Sequence, residues 1–303
     1  MPVQFAMLAS GSRGNAALVE AGGAGAGLLI DVGLGPRAMA ERLASVGSGW
    51  DRIGAAILTH THGDHVDGGT LRWLARRGID FYCHEGHRAA LARHAGFREL
   101  ELAGRARTYD DRPFLSPGGL RIEPLTLRHD GGPTFGFRVE GQSARRGRWA
   151  AVGYLADTGS WSAAMADAVA DVDLLGVEFN HDVELQGRSG RSPYLIARNL
   201  GDRGHLSNAQ GADFVAAVLG RSRPGTVRHL VLLHLSQQCN RPALAVAAAR
   251  SAIRGAGRRA TVHAATQAAA FPHLRVEPAR RRGARPARPG EPDQPFLFPW
   301  EAA

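Results

Sequence analysis

The sequence predicts an α+β fold, a sheet-rich sandwich covered by helices, in preference to a single doubly wound sheet. Three observations predict it. Strand-like apolar runs gather in both halves of the chain, helical segments are distributed between them, and 44% hydrophobic residues supply enough apolar surface for a sizeable core. A length of 303 residues suits one large domain or two small ones and does not choose between them.

Residues 4–9 and 16–20 are short apolar runs separated by Ser10-Gly11-Ser12-Arg13-Gly14-Asn15, a turn composition joining two strands. Residues 28–32 read as a third strand, with Asp31 close to its end. Proline in the first turn marks 36–44 as a helix, and 55–59 is a buried strand. Helices are expected at 70–75 and 86–94, flanking a short strand around Phe81. Residues 121–127, 134–139 and 149–155 read as three strands, the last two joined by an arginine-rich loop at 141–148. A helix at 161–169 and a strand at 172–177 follow. Helices at 209–219 and 243–253 then flank the apolar strand 227–233, and 261–263 is the last strand expected. The folded domain is therefore placed at 1–275. Residues 276–303 are rich in proline and arginine and lack apolar periodicity, so a disordered tail is expected there.

All 37 basic residues are arginine, and against 28 acidic residues they give a formal net charge of +9. From 276 onward five arginines face four acids, a net of only +1, so the surplus belongs to the body. A positive body suits a polyanion, because its summed field raises the local concentration of anions at a cleft. Solubility alone would use the same surplus. Cys83 and Cys239 are too few for a disulfide framework and are not in a metal-binding spacing, which points to a reducing compartment. No basic residue precedes the short apolar stretch at the N-terminus, and no apolar run reaches membrane-spanning length. A cytoplasmic protein without membrane association is expected.

Leu58-Thr59-His60-Thr61-His62-Gly63-Asp64-His65 comes directly after a buried strand and before an expected helix. The strand end fixes the backbone of the first ligands, Gly63 permits a tight approach, and the turn into the helix points Asp64 and His65 at nearly the same place. One imidazole on an apolar face is ordinarily a hydrogen-bonded core residue, and one aspartate before a helix a cap. Four such side chains in six positions are not explained by packing, since crowded imidazoles and a carboxylate are useful mainly around a cation. His129, Asp157 and His234 each stand where a strand runs out, at the rim where ligand groups converge. Seven candidates suit two divalent metal ions bridged by a carboxylate. Their donors fit Zn²⁺, with Mn²⁺ and Fe²⁺ also compatible.

On these residues the chain resembles the metallo-β-lactamase fold hydrolases, with His60-Thr61-His62-Gly63-Asp64-His65 as the signature and a likeness spanning residues 3–275. Within them it is similar to the YycJ or WalJ group of single-strand exonucleases. Four further stretches carry that likeness: 9–15, Glu178-Phe179-Asn180-His181-Asp182, Gly204-His205-Leu206-Ser207-Asn208 and His234-Leu235-Ser236. The resemblance implies a four-layer αββα sandwich of the metallo-β-lactamase type. It implies a first metal on His60, His62 and His129, a second on Asp64, His65 and His234, and Asp157 bridging them.

For chemistry, Asp64 is expected to ligate and to orient the nucleophile, while the leaving oxygen needs a proton or a metal. His205 is the candidate donor, because it stands at a helix start near the ligand-bearing strand ends and matches the family's His-x-Ser segment. A helix-start residue with no chemistry is the other reading of it. Ser10, Ser12 and Asn15 are candidates to contact a terminal phosphate, although turn formation explains the same residues. Asn180 and His181 are candidates to contact phosphate or to brace a ligand. Asp31 is expected to brace the metal loop. The two-metal set, His205 and the positive body point to a phosphodiesterase acting on nucleic acid, and the resemblance implies a 5′–3′ single-strand exonuclease. The alternatives are a metal-dependent thioester, lactone or β-lactam hydrolase, and a nucleic-acid binding protein with a vestigial metal site. The tail arginines, Arg280, Arg281, Arg282, Arg285 and Arg288, are expected to aid association with phosphates.

Overall fold

The apolar runs read as strands bury both of their faces. In the first strand, β1 (Val3–Ala9), Phe5 and Met7 enter one core while Ala6 and Leu8 enter another, and all four are buried. A strand with side chains alternating between two apolar layers appears in sequence as an unbroken apolar run. The computed structural model describes residues 3–21, 27–142 and 149–278. The expected arginine-rich loop, from 143 onward, and the tail arginines lie outside them.

The first half continues with β2 (Ala16–Ala21), β3 (Gly27–Ile30), α1 (Pro36–Ser45), β4 (Ile53–Ile57), α2 (Gly68–Arg77) and β5 (Asp80–His84). After these come α3 (Arg88–Leu91), α4 (Ala95–Leu102) and β6 (Ala106–Tyr109). The second half holds β7 (Phe114–Leu115), β8 (Arg121–Leu127), β9 (Thr134–Gln142), β10 (Trp149–Leu155), α5 (Ala163–Ala168) and β11 (Leu174–Glu178). It ends with α6 (Val183–Gly187), α7 (Pro193–Leu200), α8 (Asn208–Arg221), β12 (His229–Leu233), α9 (Pro242–Gly255), β13 (Thr261–Ala264) and β14 (Leu274–Val276).

Two seven-stranded sheets result, in the orders β14-β1-β2-β3-β4-β5-β6 and β13-β12-β11-β10-β9-β8-β7. They face one another across a shared core that includes Phe5, Ile57, Phe137, Tyr154 and Val231. The outer face of the first sheet is covered by Met39, Leu43, Leu71, Leu74 and Phe97 of the early helices. Phe214, Val215, Val218 and Ala249 of α8 and α9 cover the outer face of the second. This is the helix-covered sandwich that the sequence predicts, with the four αββα layers that the resemblance implies. No helix among the described residues is long and apolar enough to cross a membrane.

Several elements differ from expectation. The single helix expected at 86–94 is a 3₁₀ turn, Glu85–His87, followed by the four-residue α3, and α4 is a separate helix. Thr261–Ala264 is not the last strand: β14 pairs antiparallel with β1, setting Val3 opposite a fully buried Val276. The strand directions fix where the site forms. Strands β3, β4, β5 and β6 are parallel, as are β10, β11, β12 and β13, so their carboxyl ends open along one rim. Loops leaving such strand ends are where converging ligand groups are placed.

Candidate metal centre

His60, His62, Asp64 and His65 occupy the loop between β4 and α2, His129 follows β8, Asp157 follows β10 and His234 follows β12. All seven come together. His129 Nε2 lies 3.2 Å from His62 Nδ1, and the His60 ring centroid is 4.7 Å from that of His62 and 5.1 Å from that of His129. On the other side, Asp64 Oδ2 is 3.3 Å from His234 Nε2 and 3.7 Å from His65 Nε2. Asp157 has one oxygen 2.9 Å from His65 Nε2 and the other 3.4 Å from His234 Nδ1, and it reaches the first group through His60, with which it and His65 share a set of donors within 4.8 Å.

Backbone contacts across the fold hold the loop. Asn15 N–H donates to the Asp64 carbonyl at 2.7 Å, and Val32 N–H donates to the His65 carbonyl at 2.9 Å. The close approach expected of Gly63 belongs to Gly33 instead. A β-carbon at Gly33 would fall 1.9 Å from the Asp64 carbonyl oxygen, whereas one at Gly63 meets nothing within 4 Å. Three strand-end residues adopt the left-handed region that non-glycine residues seldom occupy: Asp31 at φ 63°, Asp157 at φ 57° and His234 at φ 53°. Each turns its side chain sharply off a strand end, into the space between the sheets' carboxyl ends.

The electrostatics follow from that crowding. Burial and the neighbouring His65 hold His60 well below the usual imidazole pKa, in the neutral form that ligates a cation. Burial likewise lowers His62, with His129 adding to it. Burial opposes a charge on His65 too, but Asp31 and Asp157 outweigh it and raise its pKa to about 10. A cation taken up at that ring displaces the proton. Burial also disfavours the Asp157 carboxylate, and His234 and His65 outweigh it and keep it ionised.

Beyond the ligand set, Asp31 is fully buried and accepts from Thr59 N–H at 2.8 Å while its other oxygen meets His65 Nδ1 at 2.8 Å. It braces the loop, as expected. Sequence reasoning missed Glu178. This fully buried residue ends β11, meets His205 Nδ1 at 2.8 Å and His234 Nδ1 at 3.4 Å, and accepts from Thr158 N–H at 2.9 Å. A carboxylate closing an apolar strand beside ligand-bearing strands was the available signal. His205 itself is partly exposed, 3.4 Å from Asp157 Oδ1 and within one shared group of Asp157, Glu178 and His234.

The residues expected to contact phosphate are for the most part enclosed. Ser10 is buried, and its hydroxyl accepts from His234 N–H at 2.7 Å. Asn15 is fully buried, its amide nitrogen 3.2 Å from Asp64 Oδ2 and 3.0 Å from His65 Nε2. The Asn180 amide donates to the His234 carbonyl at 2.8 Å, and His181 is fully buried. Ser10, Asn15 and Asn180 thus bond to the residues of the cluster, whereas both ring nitrogens of His181 have no hydrogen-bond partner among the described residues. Ser12 alone of the five is exposed.

The sequence pattern of the beta-lactamase superfamily domain matches residues 27–235, which contain all seven clustered residues. The chain belongs to the beta-lactamase superfamily. Among similar proteins, exodeoxyribonuclease WalJ of Streptococcus pneumoniae is 30% identical over 240 residues, 78% of this chain and 83% of its own length. Exodeoxyribonuclease YycJ of Bacillus anthracis is 28% identical over 247 residues, 81% and 87% of the two chains. The metallo-beta-lactamase fold protein YhfI of Bacillus subtilis superposes with a TM-score of 0.63 at 18% identity, covering 89% of this chain and 99% of that one. At that identity it speaks for the fold.

A divalent metal fits this superfamily site on the structure's own terms. The buried His60 Nε2 has no hydrogen-bond partner among the described residues, an arrangement too costly to keep without a ligand for it. The imidazole and carboxylate donors also lie within 4.8 Å of one another in overlapping groups. The chain is a metal-dependent hydrolase by its family and relatives, and this cluster is its candidate metal site. Asp31→Asn tests the bracing: it keeps the shape but weakens the hold on His65, and metal affinity is expected to fall about 10- to 100-fold. Competition with a chromogenic chelator measures it, and an unchanged affinity would leave Asp31 as a folding residue only.

Proposed function

We propose that this chain is a dinuclear metal-dependent phosphodiesterase that removes nucleotides from the 5′ end of single-stranded DNA. His60, His62 and His129 would hold one ion, Asp64, His65 and His234 the other, and Asp157 would be shared. The observation that carries the reading is the placement of His205, held at 2.8 Å by buried Glu178 immediately beside Asp157. Such a pair suits reactions whose leaving group needs a proton. The arginine-rich body and the named activity of the two exodeoxyribonuclease relatives support a polyanionic DNA substrate.

When bound, two divalent ions activate a water nucleophile and offset the negative charge that gathers on the phosphoryl group. Asp64 would be both a ligand and the acceptor that orients the attacking water, and the Asn15 amide donates to its carboxylate at 3.2 Å. Glu178 occupies Nδ1 of His205 and so leaves Nε2 to face the leaving oxygen and deliver a proton to it. Zn²⁺ and Mn²⁺ both match the donor set.

The test is cleavage of end-labelled strands by protein loaded with either metal. A 5′ label should appear at once in mononucleotides, a 3′ label in a ladder of shortening strands, and single strands should be consumed faster than duplexes. If no single- or double-stranded DNA or RNA is cleaved in a metal-dependent way, while esters or lactams are, the reading is wrong.

A further inference from the structure

Beside the metal centre lies a cavity of about 390 Å³, lined by Asp130, Tyr194, Ala197, Arg198, Asp202 and Arg203 among others. It shares Asp202 and Arg203 with a second cavity of about 750 Å³ that reaches His129 and Arg128. The two adjoin at those residues as one groove, its first part against α7. Its link to the centre is direct, because Asp130 Oδ1 is 3.7 Å from His62 Nε2 and 3.5 Å from His129 Nε2.

We propose that this groove is the track of the single strand, with the Tyr194 ring as a stacking platform for a base and Arg203 and Arg128 as its phosphate contacts. The proposal rests on the nuclease reading above. Three observations favour it. Tyr194 is 78% exposed, so its ring is not used by the core. Its position is nevertheless fixed: α7 starts at Pro193, the Ser192 hydroxyl accepts from Leu195 N–H, and Arg198 Nη2 donates to Asp130 at 2.9 Å.

Charge supplies the third. Asp130 neutralises Arg198, but Arg128 and Arg203 are exposed and have no carboxylate partner among the described residues. Arg203 is tied toward the centre by a 3.4 Å bond to the His129 carbonyl. An aromatic ring at one end, with Arg203 at the junction of the cavities and Arg128 beyond it, suits a polyanion with flat faces. Only an unstacked strand offers those faces, since in a duplex each base is covered by its neighbours. The groove would thus be what selects single strands at this site.

Fluorescence anisotropy with metal-loaded protein and a phosphorothioate-blocked, dye-labelled oligonucleotide tests this. Tyr194→Ala should raise the single-strand Kd about 5- to 100-fold, the range of one lost base stack, and Tyr194→Trp should restore it. Walking an abasic residue along the oligonucleotide should reveal one position where the penalty is large in the natural protein and absent in Tyr194→Ala. Arg203→Ala should weaken binding and reduce the slope of log Kd against log salt by about one. Melting temperature and metal content verify that each variant is folded and loaded. An unchanged Kd in Tyr194→Ala, an equal loss for duplex and single strand, or a loss traced by light scattering to a changed oligomeric state would overturn the proposal. Cleavage of DNA by the natural protein alongside such a result would sink the groove alone. A natural protein that neither binds nor cleaves DNA would remove the nuclease reading and this one with it.

Discussion

Asp157→Ala is expected to lower kcat on a single-stranded oligonucleotide by about 10³-fold or more and to leave fewer than two metal equivalents per chain. The size comes from losing several kcal/mol of electrostatic stabilisation, each tenfold in rate being about 1.4 kcal/mol. Asp157 joins the two halves of the proposed cluster: its donor lies within 4.8 Å of those of His60 and His65, and its other oxygen is near His234 and His205. Removing it also leaves buried imidazoles crowded together without an anion, which works against holding two cations. Elemental analysis and initial rates on the same preparation, with circular dichroism to verify folding, measure the effect. Full metal content with near-natural kcat would contradict a shared role for Asp157.

His205→Ala is expected to lower kcat about 10²- to 10⁴-fold while metal content stays full, because general acid catalysis is removed and no member of either proposed ligand set is. The loss should depend on the leaving group. A nucleotide leaving as an alkoxide needs the proton, whereas p-nitrophenolate does not, so hydrolysis of thymidine 5′-p-nitrophenyl phosphate should suffer far less. Glu178→Gln should fall between the two, since it loosens the ring without deleting it. Equal losses on both substrates would deny His205 the role of proton donor, and loss of metal from the variant would make it a ligand.

The legible parts of the fold were those whose signal is local. The apolar runs of β1, β4, β10 and β12 alternate between two buried layers, and α8 and α9 each bury one apolar stripe, so period and composition suffice for them. β6 and β7 lie at sheet edges and, Tyr109 apart, carry half-exposed or exposed side chains, and β14 is three residues long, so neither periodicity nor length marks them. α6 and α7 bury only Gln186 and Asn199, which leaves no apolar stripe to read.

The site divides in the same way. His60 to His65 are neighbours in sequence, and their density gave them away, while His129, Asp157 and His234 were visible as strand-end residues. What could not be read was contact over long separations. Ser10 serves His234 across 224 residues and Asn15 serves His65 across 50, so both look like turn residues until the sheets are stacked. The glycine that matters, Gly33, is decided by a carbonyl 31 positions away, and no spacing rule reports that distance.

The central claim is a two-metal centre that does hydrolysis, and titration of activity against bound metal tests it most directly. Chelator-stripped protein is reconstituted stepwise with Zn²⁺ or Mn²⁺, bound metal is counted by elemental analysis, and single-strand cleavage is measured at each step. Activity is predicted to rise to its maximum only as the content approaches two metals per chain, and to vanish again on stripping. Full activity at one metal per chain, or undiminished activity in the stripped protein, would contradict it.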